Sequence, residues 1–254
     1  MSNNKILKFN INGPFAFFKN PEVNTYHYFT FNNIHKVAIM GIFGAALGLK
    51  GYNQQGDSRY PEFYEKLKGL EVAIVPKSPV CPVKKVQTFN NSTMFFNKGA
   101  DKEGANLIVK EEWIENPSWD IYVKLNNKNA LHQELLECFI ERNFKYVPYL
   151  GKNDHFANIE NVEVFDLGDI ETVKEDSFEL NSFYLRGDFI EADSLSLFDE
   201  GDISFKYKES LPFGLNEHTN HYWYKTVEYC SGNVEFINKN ATVYNINGIN
   251  ITFM

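Results

Sequence analysis

The residues able to do chemistry in this chain are its histidines, lysines and aromatics, since no catalytic signature is present. There is no G-x-S-x-G, no H-E-x-x-H and no phosphate loop of the G-x-x-x-x-G-K-[ST] type. Of the six histidines, His27, His35, His132, His155, His218 and His221, only the last two stand close together, three apart beside Tyr222 and Trp223. That spacing is compatible with a metal pair but falls short of a complete ligand set, so no metal or cofactor is expected. Cys81, Cys138 and Cys230 are odd in number and far apart, and read as reduced thiols. Basic residues interleaved with aromatics are more informative. Lys84, Lys85, Phe89, Phe95, Phe96, Lys98 and Lys102 fall on or near one hairpin, where cations could track phosphates while rings stack on bases. The plainer alternative is an exposed hairpin with ordinary core aromatics.

The element that must position such groups is Val37 to Leu49, apolar on every side. A solvent-facing helix cannot be so, and a run of about 13 residues is too short for a membrane span of about 20. Gly41, Gly44 and Gly48 interrupt it, each at a cost of roughly 1 kcal/mol against alanine. Close packing is the offsetting gain, either against the protein's own core or against a nucleic-acid backbone. The polar entry Asn32-Asn33-Ile34-His35-Lys36 is read as a cap followed by two cationic donors, at the helix end that attracts anions. A long loop from Phe15 to Phe31, carrying Lys19, Asn20 and Asn24, leads into it.

Along the chain, Lys5 to Asn12 alternates polar and apolar residues as a half-buried strand and closes at Gly13-Pro14. A short helix is expected near Tyr60 to Leu67, a strand from Gly69 to Val75, and a hairpin from Val83 to Trp113 with its tip between Asn97 and Gly104. Trp119 to Leu125 follows as a strand, Ala130 to Phe144 as a helix capped by Asn129, and Val162 to Leu167 as another strand. The order β-α-β-β-α-β is the ferredoxin-like pattern shared by RNA-recognition modules, which makes the fold class α+β. The expected division is 1–168 for this domain, with the hairpin at about 83–113 as a protruding thumb, and 169–254 for a smaller β-rich part. In the latter, Asn247-Gly248 joins two strands. The net charge of −8 is unevenly spread. Residues 1–153 hold 19 basic and 14 acidic side chains, 154–202 hold 2 and 15, and the remainder 4 and 4. A phosphate-binding face on the first part is therefore compatible with an acidic protein. No signal-peptide pattern is present, and a soluble cytoplasmic protein without membrane contact is expected.

Three patches resemble the CRISPR-associated protein 5 family of the type I RNA-guided surveillance (Cascade) complexes. Gly13-Pro14-Phe15-Ala16-Phe17-Phe18-Lys19-Asn20-Pro21 is similar to the family's G-x-x-A-x-F-R-x-P opening. Lys36 to Gly48 is similar to its basic-residue-then-G-L-x-G-A-x-L-G helix. Glu112 to Tyr122 and Pro148-Tyr149-Leu150-Gly151-Lys152 resemble its E-x-x-x-x-P-x-Y-x-I-Y and Y-L-G-[RK] patches. Ile34, Lys36 and Val37 depart from the family's Pro, Arg and Ser or Thr. A lysine keeps the charge but not the bidentate fork.

The resemblance implies a RAMP-type ferredoxin-like subunit of an antiviral system. It would grip the 5′ handle of the CRISPR RNA, cap the filament of backbone subunits beside the large subunit, and meet target DNA only indirectly. The RNA-binding residues expected on these grounds are Lys19, Asn20, Asn24, His35, Lys36, Lys50, Lys84, Lys85, Phe95, Phe96, Lys98 and Lys152. One branch of the family cuts repeat RNA without metal, for which Tyr52, Lys152 and His155 are the candidates here. The Tyr149 to Ala157 patch is closer to the type I-B branch, which binds without cutting. A small phosphate compound cradled by the glycine helix is a further alternative.

Overall fold

The computed structural model describes residues 4–23, 26–91, 107–192 and 205–254. Its centre is a four-stranded antiparallel sheet made of β1 (Asn4–Asn12), β4 (Val72–Pro76), β7 (Ser118–Asn126) and β8 (Asn158–Asp166), in the order β4-β7-β1-β8. Helix α1 (Lys36–Leu47) connects β1 to β4, and α3 (Ala130–Glu141) connects β7 to β8. This is the ferredoxin-like topology that the chain order predicts.

Alternation along β1 sorts its side chains between two faces. Leu7, Phe9 and Ile11 turn to the helices, where Phe9, Phe43 and Phe139 meet with ring centroids 4.6–6.0 Å apart. Asn129 caps α3 by accepting from Leu131 N at 3.0 Å, as expected. Ile6 turns the other way, to Ala73, Val75 and Tyr122. In RNA-recognition modules this second face is the open one on which bases stack. Here it is covered by the hairpin of β16 (Val243–Ile246) and β17 (Ile249–Thr252), whose Ile246 and Ile251 are buried on it. Asn247 and Gly248 turn that hairpin with φ of 52° and 82°, the paired positive angles of a type I′ turn.

Between β4 and β7 the chain inserts the expected hairpin, β5 (Lys84–Asn91) with β6 (Leu107–Glu115). Its tip, with Lys102, lies outside the described residues. The loop read as irregular contributes β2 (Phe15–Ala16) and β3 (His27–Tyr28), both paired to β6. The C-terminal part is strand-rich. Its longest strands, β13 (Lys206–Leu215) and β14 (Tyr222–Cys230), pair antiparallel, and Leu211, Leu215 and Val227 belong to the same buried cluster as α1. Helix α1 is thus covered over most of its surface by the sheet, α3, the short α2 (Glu62–Leu67) and β13, as its apolar sequence requires. No helix among the described residues is long and apolar enough to cross a membrane.

Candidate nucleic-acid interface

One face of α1 is left partly open. Ala38, Gly41 and Ala45 are half-buried, while Ile39, Met40 and Phe43 are fully covered. The open face floors a groove of about 620 Å³ walled by Phe17, Lys19, Tyr52, Tyr146, Tyr149 and Tyr222. Tyr52, Tyr146 and Tyr149 are well exposed. A second hollow of about 490 Å³ adjoins it, sharing Tyr52 and Tyr222 and adding His221 and Tyr224.

Two glycines set the groove's shape. Gly151 has φ +83° and lies so close to the Phe17 carbonyl that a Cβ would fall 2.0 Å from its oxygen. With Phe17 N–H donating to Leu150 O at 3.0 Å, this locks the 148–152 loop against the 15–19 segment. Gly44 lets α2 approach α1, since a Cβ there would stand 2.5 Å from the Phe63 Cβ. The family-like patches at 13–21, 36–48 and 148–152, far apart in sequence, converge on this groove.

Those of the expected RNA-binding residues that the structure describes divide into three groups. His35 and Lys36 are correctly placed at the start of α1 but are not the exposed cations expected. His35 is itself the N-cap: its Nδ1 accepts the Ala38 N–H at 3.2 Å, and burial lowers the imidazole pKa to about 3, so the ring is neutral. Lys36 is 8% exposed, donates to the Met254 carbonyl at 3.0 Å and lies 4.6 Å over the Phe213 ring. Burial first, then the Lys225 charge, lowers its pKa to about 8. The asparagines before them are engaged internally as well. Asn33 joins Trp119 Nε1 to Val80 O, and Asn32 donates twice to the Glu209 carboxylate.

A second group is ion-paired to β6. Lys84 reaches Thr30 O at 3.2 Å and Glu112 at 3.5 Å, and Lys85 stands 4.0 Å from Glu115. Lys152 donates to buried Glu111 at 2.8 Å beneath the rings of Phe89 and Trp113, and Trp113 Nε1 donates to the same carboxylate oxygen. The third group is free to meet a ligand. Lys19 is exposed at 4.1 Å over the Tyr28 ring, and Lys50 is exposed just past the end of α1. Asn20 accepts the Glu22 N–H through its side chain at 3.0 Å. Asn24, Phe95, Phe96 and Lys98 lie outside the described residues. Sequence reasoning missed Tyr146 and Tyr222, for which the only local signal is an aromatic ring in a polar setting.

The three candidates for metal-free cleavage sit in different settings. Tyr52 lines the groove, its phenol pushed well above the ordinary range by burial and by Tyr222 and Tyr64. Lys152 is held by Glu111. His155 is 3% exposed, edge-on to Trp113 at 4.4 Å, with both ring nitrogens unpartnered among the described residues and its pKa lowered chiefly by burial. His218 contacts Glu217 at 3.2 Å, and no group of three metal-ligating residues occurs among the described residues.

No protein-family model and no curated protein matches the chain. Solved structures similar to it include a chain of a "CRISPR RNA-guided surveillance complex", 12% identical over 96% of this chain and 91% of that one, with a TM-score of 0.49. A "CRISPR protein from Archaeoglobus fulgidus" is similar at 9% identity over 98% of both chains, TM-score 0.49. A chain of the "Type III-B Cmr-beta bound to cognate target RNA and AMPPnP" is similar at 10% identity, covering 91% of this chain and 86% of that one, TM-score 0.47.

Proposed function

We propose that this chain is a non-catalytic, RNA-binding subunit of a type I CRISPR surveillance complex, of the I-B branch. It holds the 5′ handle of the CRISPR RNA and caps the filament of backbone subunits, next to the large subunit. The observation that carries the reading is the convergence of the family-like stretches 13–21, 36–48 and 148–152, though not 112–122, on one groove with tyrosine walls and Lys19 at its rim. Unpaired RNA is recognised through splayed bases stacked on aromatic rings, with cations on the phosphates, and the groove offers both. The second face of the sheet, covered by β16 and β17, leaves this side for the task. Binding without cleavage is favoured by the chemistry of the three candidates. A lysine held by a buried carboxylate and a histidine enclosed beside Trp113 are poor proton carriers.

The test is incubation of the full-length protein with repeat RNA in EDTA. Salt-sensitive binding with the RNA left intact is expected. Absence of binding would remove the reading, and specific cleavage abolished by Tyr52→Phe would replace it with the endoribonuclease.

A further inference from the structure

Two of the three glycines in the α1 segment are accounted for by the protein itself. Gly44 admits Phe63, and Gly48 ends the helix with φ +73°. Gly41 is not: a Cβ built there meets no atom within 4 Å, although a glycine in mid-helix is destabilising relative to alanine. It lies on the groove floor between Ala38 and Ala45.

A second, independent feature points into the same groove. His35, 4% exposed, lines it about 9 Å along the helix axis before Gly41. With Nδ1 accepting the Ala38 N–H, the neutral ring carries its proton on Nε2. Phe18, Phe31 and Tyr222 hold the ring edgewise at 5.5–5.8 Å, and no described residue accepts from Nε2. His35 Nε2 is not among the fully enclosed unpartnered polar atoms, so this donor opens on the groove and is available to a ligand there.

We propose that the sugar-phosphate backbone of an unpaired RNA strand crosses α1 at Gly41, closer than a Cβ would permit, with His35 Nε2–H donating to a phosphodiester oxygen. The assignment rests on the RNA-binding reading above and adds the place and the chemical group of the contact. Because the contacts are to phosphate and sugar, they position the strand without sequence preference. Being uncharged, it adds affinity without releasing a counterion.

The test compares full-length wild type with Gly41→Ala and Gly41→Gln, using fluorescein-labelled single-stranded repeat RNA between about 50 and 200 mM salt. Gly41→Ala should raise Tm by about 2–4 °C, because the methyl enters open space and improves helix propensity. Its affinity should nevertheless fall. Gly41→Gln should bind at least about tenfold more weakly, a misfit of more than one methylene. Both lines of log affinity against log salt should run parallel to that of wild type, and scrambled RNA should lose the same factor. Wild-type affinity in both variants, with wild type itself binding, would overturn the assignment and leave the RNA-binding reading standing. No binding by wild type would remove both. If Gly41→Gln fails to fold, Gly41→Ala decides: stabilised and weakened supports the assignment, stabilised and unweakened overturns it.

Discussion

Replacing Lys36 by methionine should remove a pH dependence from folding and leave RNA binding's salt dependence untouched. The ammonium is 8% exposed, and its pKa falls from 10.5 unfolded to about 8 folded. That drop corresponds to about 3 kcal/mol of differential protonation. Between these pH values the folded chain binds fewer protons than the unfolded one, so stability rises with pH across the window. The contribution is complete above pH 10.5, diminishes as pH falls and is gone below about 8, leaving burial of the charge as a standing cost at neutral pH. Methionine fills similar space without the charge, and the Met254 carbonyl keeps the Val72 N–H at 3.2 Å. Urea midpoints of wild type and Lys36→Met, followed from about pH 7.5 to 10, measure the difference between the two proteins. The tyrosines titrate in both and cancel. The expected difference shifts in favour of wild type by up to about 3 kcal/mol as pH rises. A constant difference would refute the burial argument, and a salt slope reduced by about 0.7 would return Lys36 to the RNA site.

Other perturbations test the packing that shapes the groove. Gly44→Ala drives a methyl to within 2.5 Å of the Phe63 Cβ, and should cost about 1–3 kcal/mol in urea unfolding. A neutral result would mean that α2 yields freely. Glu111→Ala removes the acceptor shared by Lys152 and Trp113, at about 2–3 kcal/mol. Hydrogen exchange should quicken along β5 and β6 and not along α3, whereas equal quickening in both would deny the carboxylate a local role.

The ferredoxin-like core was legible because its signals are local. Alternation in Lys5 to Asn12 and the cap at Asn129 each depend on neighbours a few residues away, as does the Asn-Gly turn at 247–248 in the hairpin outside that core. The glycine helix also announced its enclosure, since nothing apolar on all sides survives in water. What escaped was decided across long separations. The Lys36 ammonium is taken by Met254, 218 positions on, and the basic residues of the hairpin and of the 148–152 loop by glutamates of β6. A lysine in a polar stretch reads as available for phosphate until its partner strand is known. The two C-terminal strands read as an appendage, yet they cover the sheet face where an RNA-recognition module would bind. The groove itself needed three distant patches brought together, and only their family-like character hinted that they belonged to one surface.

Mapping where repeat RNA touches the protein decides whether the α1 groove is the RNA site. Ultraviolet crosslinking of the full-length protein to repeat RNA, followed by mass spectrometry of the crosslinked peptides, reads stacked aromatics in particular. Crosslinks are expected at Tyr52, Tyr146, Tyr149 and Tyr222 around the α1 groove, and a map centred on them would bear out the RNA site. Crosslinks confined to the outer strand β8 or to the β16–β17 hairpin, or none at all, would contradict it.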